Sequence, residues 1–282
     1  MKAIKTAVIG AGLMGAEIAL VQARAGLEVS LIDIGEAQLA AAMTRLRTLM
    51  EKGVSRGFFP ADSVEPTLAR IIPCTSYDAV QGVSYVTEAV FESLEVKRGV
   101  FERLDRACPP ECLIASNTST IPISTLAACL PPERRPYCVG THYFSPVSRM
   151  KLVEVIPGFD TSPESFDRAW KTCIAAEKVP VRVKDVAGFA VNRMLHAFII
   201  EAVRLVEEGV ITPPEIDTAC RLGLGHAMGP FELMDAVSSS LCVQAQEIMQ
   251  EAYGERFRPP PLLKQRVRAG LVGGHGKRGW LT

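Results

Sequence analysis

The sequence lacks an excess of charge of either sign. Among its 282 residues, 31 Lys and Arg balance 31 Asp and Glu, and neither an acidic nor a basic tail is present. This balance argues against nucleic acid as a partner, although local basic groups remain able to bind a phosphorylated ligand.

Long apolar runs are also missing. No run reaches the roughly 18 residues that a membrane-spanning helix needs, which argues against a membrane protein. Met1 leads directly into a strand pattern, without the charged segment, apolar segment and cleavage site of a secretory leader. We therefore expect a cytoplasmic protein, or one in an organelle matrix after loss of a presequence, with no membrane partner.

Metal-binding cysteine patterns are absent. The eight cysteines form no CxxC pair, and their spacing to the four histidines matches no zinc site. They are scattered through apolar segments, which favours buried thiols in a reducing compartment over disulfides or a metal centre. They are Cys74, Cys108, Cys112, Cys129, Cys138, Cys173, Cys220 and Cys242.

Alternating strand and helix patterns occupy the first part of the chain. Residues 3–9 and 28–32 read as strands around a helix at 13–25, which makes one complete β-α-β unit. The alternation predicts an α/β fold with a doubly wound, Rossmann-type, mostly parallel sheet that is covered on both faces. Further strands are predicted at 83–87, 112–115, 137–142, 152–156 and 179–183, and further helices at 38–51, which Gly53 ends, and at 93–107.

The pattern becomes helical after about Lys184. Helices are predicted at 191–208, from Pro213 onward, and at 233–253, and no strand pattern is visible between them. We therefore predict two domains, a sheet domain over residues 1–185 and a smaller all-helical domain over residues 186–282.

A glycine-rich turn follows the first predicted strand. Residues 10–15 read GAGLMG, a GxGxxG pattern that comes after a strand and opens a helix, which is the context that gives it meaning. Gly10 permits the tight turn, Gly12 lets a pyrophosphate approach the backbone, and Gly15 lets the helix pack closely on the strand. The N-terminus of that helix favours a bound anion.

Asp33 ends the second predicted strand, 18 residues after Gly15. A carboxylate there accepts hydrogen bonds from the ribose hydroxyls of an adenosine and repels a 2′-phosphate, so the site favours NAD over NADP. Two other interpretations remain. A flavin or another adenine nucleotide would use the same turn, and Asp33 would otherwise only cap the next loop.

A histidine and an acid are the candidates for the chemistry. His142 lies at the end of a predicted strand, where ligands bind in doubly wound sheets. Twelve residues later, Glu154 lies inside an apolar strand, where a carboxylate is costly to bury without a partner. An imidazole paired with a carboxylate is a usual base for removing a hydroxyl proton. The alternative for Glu154 is the exposed face of an edge strand.

Several segments, in a fixed order and spacing, carry a resemblance to a known family. They are the glycine-rich turn with Asp33, VTEAVFE at 86–92 with Lys97, SNTS at 116–119, the His142 and Glu154 segments, GFAVNR at 188–193, and GLGH at 223–226 leading to GPFEL at 229–233. Taken together they resemble the 3-hydroxyacyl-CoA dehydrogenase family over nearly the whole chain. The resemblance implies an enzyme that uses NAD to oxidise a (3S)-3-hydroxyacyl-CoA reversibly to the 3-ketoacyl-CoA.

The resemblance also implies roles for single residues. His142 would be the catalytic base with Glu154 as its partner, and Ser116 and Asn192 would lie near the substrate oxygen. Ser116 follows a predicted strand and so opens onto the same edge as His142, whereas an Asn at a helix start is more often a cap. The cofactor-binding residues would be Gly10, Gly12, Leu13, Met14, Gly15, Asp33, Glu88, Lys97 and Asn117, with Glu88 and Lys97 at the nicotinamide-ribose end.

For the helical domain, the resemblance implies a share of the substrate pocket and a homodimer interface. Three departures from the usual family residues leave the acyl-chain length and the dimer details open: Ser145 for Asn, Ala227 for Pro, and residues 238–240 for Gly-Leu-Asp. Lys52 lies in the segment that the family extends toward CoA, and is either a phosphate ligand or a solvated lysine.

Two other functions remain open at this stage. A related NAD enzyme that acts on a free hydroxy acid would keep the fold and the His–Glu pair but would need no CoA contact. A non-catalytic NAD-binding protein would keep the fold alone, and the intact set of Ser116, His142, Glu154 and Asn192 argues against it. The other histidines, His196, His226 and His275, are expected to be structural or surface residues.

Overall fold

Two units make up the part of the chain that the structure describes. The structure is a computed structural model, and it describes residues 5–274 and 276–282. One unit ends at Val186 and the other runs from Ala187 to Thr282. Residues 3 and 4 of the first predicted strand, and His275, lie outside the described residues.

A single sheet organises the first unit. Its strands are Lys5–Ile9 (β1), Glu28–Ile32 (β2), Ile71–Cys74 (β3), Tyr85–Glu88 (β4), Leu113–Ser116 (β5), Cys138–Tyr143 (β6), Leu152–Pro157 (β7) and Val179–Arg182 (β8). They lie in the order β3-β2-β1-β4-β5-β6-β7-β8, and only the β6–β7 pairing is antiparallel. Because the order reverses between β1 and β4, this is the switch point at which such sheets bind nucleotides. The predicted doubly wound fold is confirmed.

The helices of the first unit are Leu13–Arg24 (α1), Glu36–Ser55 (α2), Val64–Leu68 (α3), Leu94–Ala107 (α4), Ile123–Ala127 (α5) and Pro163–Ala175 (α6). The prediction that Gly53 ends the second helix is wrong, because α2 continues through it to Ser55. Gly53 is buried there, and a Cβ at this position would lie 2.2 Å from the Phe59 ring. The glycine therefore makes room for an aromatic side chain and does not break the helix.

Strand β3 has no counterpart in the sequence prediction. It is an edge strand that contains Pro73 and exposes Ile72, so it shows neither the alternation nor the apolar run by which strands are recognised. Proline is tolerated at an edge because the missing N–H is not needed for a ladder there.

Helices alone form the described part of the second unit. They are Val191–Glu207 (α7), Pro213–Leu224 (α8), Pro230–Val237 (α9), Ser239–Tyr253 (α10) and Pro261–Arg268 (α11). The single helix predicted over 233–253 is wrong, because Ser238, with φ of 127°, separates α9 from α10. Positive φ favours glycine, which is the residue that the resemblance described above implies at position 238. The serine compensates in part, because its Oγ accepts the N–H of Ser240 at 3.3 Å and begins α10.

Candidate active site

Four neighbouring strands bring predicted site residues to one edge of the sheet. Strand β1 leads into the glycine turn, β4 ends at Glu88, β5 ends at Ser116, and His142 is the residue before the last in β6. The carboxyl ends of parallel strands face the same crevice. Three strand spacings separate β1 from β6, so His142 lies about 14 Å across the sheet from the glycine turn.

Two glycines of the turn are required by close backbone contacts. A Cβ on Gly10, whose φ is 102°, would lie 2.7 Å from the carbonyl oxygen of Ala89 after β4. A Cβ on Gly15 would lie 1.9 Å from the carbonyl oxygen of Gly10. These contacts draw the turn tightly against the ends of β1 and β4, as the sequence pattern predicts.

Gly12 faces open space. A Cβ built on it would meet no atom within 4 Å, so its backbone is accessible to a ligand. Helix α1 begins at the next residue, and its first backbone hydrogen bond runs from Ala16 N–H to Gly12 O at 3.1 Å. The N–H groups of Leu13 and Met14 therefore precede the helical ladder and are available to an anion. This turn fits the pyrophosphate of a dinucleotide.

Asp33 bonds directly to the glycine turn. Its Oδ2 accepts the N–H of Ala11 at 2.7 Å, and its Oδ1 lies 3.4 Å from the N–H of Gly35. The carboxylate is half-buried at the end of β2 and has further lone pairs for the hydroxyls of a ribose. It shapes the turn and places a negative charge beside it.

His142 and Glu154 form a buried hydrogen-bonded pair. They lie opposite each other in the antiparallel β6–β7 pairing, with His142 Nδ1 2.8 Å from Glu154 Oε2. Glu154 is 0% exposed and His142 is 5% exposed. The edge-strand alternative for Glu154 is wrong, because β7 lies between β6 and β8. As an acceptor, the carboxylate holds the imidazole proton on Nδ1 and makes Nε2 the basic nitrogen.

A second buried ion pair lies at the ends of β4 and β5. Lys97 Nζ donates to Glu88 Oε1 at 2.7 Å, and Ser116 Oγ donates to Glu88 Oε2 at 2.6 Å. Val90 N–H also donates to Oε1 at 2.7 Å. Glu88 and Lys97 are fully buried, and their hydrogen bonds hold the ends of the two strands together. Their contact with cofactor and that of Ser116 with substrate stay predictions.

Glu92 organises the loop after β5 and was not singled out from the sequence. Its Oε1 accepts hydrogen bonds from Thr118 Oγ1 at 2.6 Å and from the N–H groups of Ser119 and Thr120 at 2.8 and 2.9 Å. Burial alone would raise the pKa of Glu92, but Lys97 and these donors outweigh burial and lower it. The available signal was a second acid four residues after Glu88, beside the same lysine.

The two predicted asparagines lie in different units. Asn117 follows β5, and its Oδ1 accepts the N–H of Tyr143 at 2.9 Å, which ties the end of β5 to the end of β6. Asn192 is the second residue of α7 in the helical unit and is half-buried. Its role near the substrate oxygen stays a prediction.

The other described histidines have environments that suit structural roles. His196 is buried in the helical unit, and burial lowers its pKa to about 4. His226 is exposed, and its ring lies 5.4 Å from that of Phe198. No group of three or more His, Cys, Asp or Glu side chains suited to a metal ion occurs among the residues that the structure describes.

A basic cavity of about 830 Å³ opens in the first unit. Positions 45, 49 and 52 contribute one face of α2 to its wall, since they recur at helical spacing, and Arg56 follows directly after the helix. Two phenylalanines, Phe58 and Phe59, contribute apolar surface, and Arg24 packs over the Phe59 ring at 4.4 Å. The cationic side chains in the wall are Arg24, Arg45, Lys52, Arg56, Arg149 and Lys151, beside the single acid Glu177. Such a wall suits a phosphorylated ligand.

Nothing in the described residues resembles a membrane span, since none of their helices combines sufficient length with sufficient apolar character.

Comparison with known protein families covers nearly the whole chain. Residues 5–186 match the "3-hydroxyacyl-CoA dehydrogenase, NAD binding domain", and residues 188–282 match the "3-hydroxyacyl-CoA dehydrogenase, C-terminal domain". A probable 3-hydroxybutyryl-CoA dehydrogenase of Bacillus subtilis is 36% identical over 274 residues, which cover 97% of this chain and 95% of that protein.

Solved structures agree in fold over the same length. FadB2 of M. tuberculosis superposes with a TM-score of 0.94 at 35% identity, covering 99% of both chains. The (S)-3-hydroxybutyryl-CoA dehydrogenase PaaH1 of Ralstonia eutropha superposes with a TM-score of 0.93 at 32% identity, covering 99% of this chain and 98% of that one. With both family domains matched in order, the chain belongs to the 3-hydroxyacyl-CoA dehydrogenase family, and its first unit is the NAD-binding domain of that family.

Proposed function

We propose that this protein catalyses the reversible, NAD-dependent oxidation of a (3S)-3-hydroxyacyl-CoA to the 3-ketoacyl-CoA. The observation that carries the proposal is the buried His142–Glu154 pair at 2.8 Å, at the edge of the sheet where the glycine turn opens. A base fixed by an acid beside a dinucleotide site is what oxidation of a secondary alcohol requires.

Each residue of the site has a separate role in the reaction. His142 Nε2 takes the proton of the substrate hydroxyl, and Glu154 stabilises the imidazolium that forms. Ser116 and Asn192 hold the substrate oxygen. When bound, NAD would supply the hydride acceptor. In the reverse direction His142 returns the proton to the ketone oxygen.

NAD would be held by the backbone of the glycine turn and by Asp33. The open face at Gly12 and the N–H groups at the start of α1 suit its pyrophosphate, and Asp33 suits the adenosine ribose. The remaining proposed contacts are Gly10, Leu13, Met14, Gly15, Glu88, Lys97 and Asn117.

Replacing Asp33 by Ala is expected to weaken NAD binding and to lower the ratio of kcat/KM for NAD to kcat/KM for NADP. The substitution removes both the ribose acceptor and the charge that repels a 2′-phosphate. Because Asp33 also holds Ala11 N–H at 2.7 Å, Asp33→Asn is the matched variant that keeps an acceptor and removes only the charge. The measurement is kcat/KM for NAD and NADP with one substrate. An unchanged ratio in both variants would contradict the assignment.

The phosphates of CoA would bind in the basic cavity. Six cationic side chains and one acid line it, and charge-assisted hydrogen bonds to phosphate are stronger than neutral ones. This feature favours a CoA thioester over a free hydroxy acid, because a free acid carries no phosphate and would leave this wall unused.

Arg56→Ala is expected to raise KM for acetoacetyl-CoA about tenfold with little change in kcat. The reason is that the proposed contact of Arg56 with a CoA phosphate is equally strong in the ground state and in the transition state. Arg47→Ala is the matched control on α2, the helix that Arg56 follows, since Arg47 pairs with Glu65 and is not part of the cavity wall. NADH oxidation is measured with acetoacetyl-CoA and, beside it, free acetoacetate. Turnover of acetoacetate alone would favour a free-acid dehydrogenase, and turnover of neither would contradict the proposed activity.

For the helical unit we propose a share of the substrate pocket and the interface of a homodimer. Exposed apolar side chains are the support for self-association, because covering apolar surface that faces water is favourable. They are Met194, Leu222, Leu224, Met228, Val237 and Leu241. A cytoplasmic location is part of the same proposal, since CoA thioesters are used inside cells.

A further inference from the structure

One arginine touches both the glycine turn and the basic cavity. Arg45 lies on the exposed face of α2, and its Nη2 donates to the carbonyl oxygen of Ala11 at 3.0 Å. The same side chain is part of the cavity wall, on the helix face that also carries Lys52. The proposed binding regions for NAD and for CoA therefore share a side chain.

The contact with Ala11 sets the direction of a backbone donor. In a trans peptide the C=O and the following N–H point to opposite sides of one plane. When Arg45 holds the Ala11 oxygen on one side, the N–H of Gly12 points to the other. The Ala11 N–H is bonded to Asp33 Oδ2 at 2.7 Å, so both peptide planes at Ala11 are held by side chains.

Arg45 is suited to bind two acceptors at once. A guanidinium presents five N–H donors in a planar fork, and the Ala11 carbonyl takes one of them. The side chain is long and exposed, so holding it on Ala11 costs conformational entropy. A phosphate in the cavity that accepts hydrogen bonds from the remaining donors would restrain the guanidinium. The conformational entropy of the side chain would then be lost once for both contacts.

We propose that Arg45 is a positioning residue that couples the two nucleotide sites. A CoA phosphate bound to the cavity wall fixes Arg45, Arg45 fixes the Ala11–Gly12 peptide, and the ordered peptide binds the dinucleotide pyrophosphate more tightly. The proposal rests on the proposed function, because the ligand in the cavity is taken to be CoA. Since coupling between sites is reciprocal, NADH tightens CoA by the same factor.

The test is a thermodynamic cycle with NADH and free CoA. Dissociation constants of NADH are measured by its fluorescence without CoA and with saturating CoA, and those of CoA by calorimetry without and with NADH. We expect CoA to tighten NADH about fivefold or more in the native protein, and NADH to tighten CoA equally. In Arg45→Met both factors are expected to fall close to one.

Two further variants separate coupling from a general loss of charge. Lys52 lies two helical turns, about 10 Å, along α2 from Arg45, so Lys52→Met is expected to weaken CoA while keeping the coupling factor. Arg45→Lys keeps the charge but lacks the fork, and is expected to lose most of the coupling.

Each contrary outcome has a distinct meaning. The role of Arg45 is overturned by a coupling factor of one in the native protein. It is also overturned by full coupling in Arg45→Met or in Arg45→Lys. In each of these cases, reduction of acetoacetyl-CoA by the native protein still supports the proposed function. A native protein that neither binds CoA nor reduces acetoacetyl-CoA overturns both.

Discussion

Replacing His142 by Ala is expected to lower kcat by roughly 10²–10⁴-fold while leaving the affinity for NADH within about twofold, as loss of a positioned base does. The imidazole is the group proposed to remove the hydroxyl proton. It lies about 14 Å across the sheet from the glycine turn, so its loss leaves the pyrophosphate region intact.

The variant Glu154→Gln distinguishes the contribution of the Glu154 charge from that of the His142 base. The amide oxygen still accepts the Nδ1 proton of His142, so the ring orientation is kept, but the charge that stabilises the imidazolium is lost. We expect kcat to fall by about 10–10²-fold, which is less than in His142→Ala. Because the two residues act as one unit, the double variant is expected to be little worse than His142→Ala alone.

Initial rates with acetoacetyl-CoA, together with NADH titrations, check these expectations. The matched control is His226→Ala, since His226 is an exposed histidine of the helical unit that is not part of the proposed machinery. Near-normal turnover in His142→Ala would remove it from the role of base. Equal and independent losses in the two single variants would argue against a functional pair.

The His142–Glu154 contact was predictable because both of its physical causes are visible in the sequence. A histidine ends one apolar strand, and a carboxylate inside the next requires a partner. The direction of β7 was not predicted, although the connection at 144–151 is too short for the crossover that a parallel pair needs. The antiparallel β6–β7 pairing places positions 142 and 154 directly opposite each other.

The hydrogen bonds that surround the site were harder to predict from the sequence. Glu88, Lys97 and Ser116 were each noted, but their mutual hydrogen bonds depend on β4 lying beside β5, a long-range arrangement. The contact of Arg45 with the glycine turn was equally hard to predict, because in the sequence Arg45 is only a basic residue on a polar helix face. Its contact with Ala11 exists because α2 packs on α1.

Local errors in the fold prediction have local causes. Gly53 was expected to end a helix, since glycine is a poor helix former, yet tertiary packing of Phe59 against it outweighs this propensity. The break at Ser238 was missed for the opposite reason, because a serine does not signal the positive φ that it adopts there.

The buried Glu88–Lys97 pair supports the second large prediction. Lys97→Met is expected to destabilise the NAD-binding unit by about 3–5 kcal/mol, because it leaves a carboxylate buried without its cation. Glu88 is 0% exposed and Lys97 is 1% exposed, so water cannot replace the lost partner. Val90 N–H and Ser116 Oγ remain as donors, but neither carries a charge.

Urea unfolding of the protein without ligands measures this effect. Trp170 lies on α6 in the NAD-binding unit, so its fluorescence in a Trp280→Phe background reports on that unit alone. Lys171→Met is the matched control, because Lys171 forms an exposed pair with Asp167 whose loss is expected to cost less than about 1 kcal/mol. Adding Glu88→Gln to Lys97→Met removes the unpaired charge at position 88 and is expected to restore part of the stability, whereas Glu92, the second partner of Lys97 at 3.2 Å, keeps its charge and its hydrogen-bond donors. If Lys97→Met unfolds at the same urea concentration as Lys171→Met, the pair contributes nothing, and the ends of β4 and β5 are held by their backbone ladder alone.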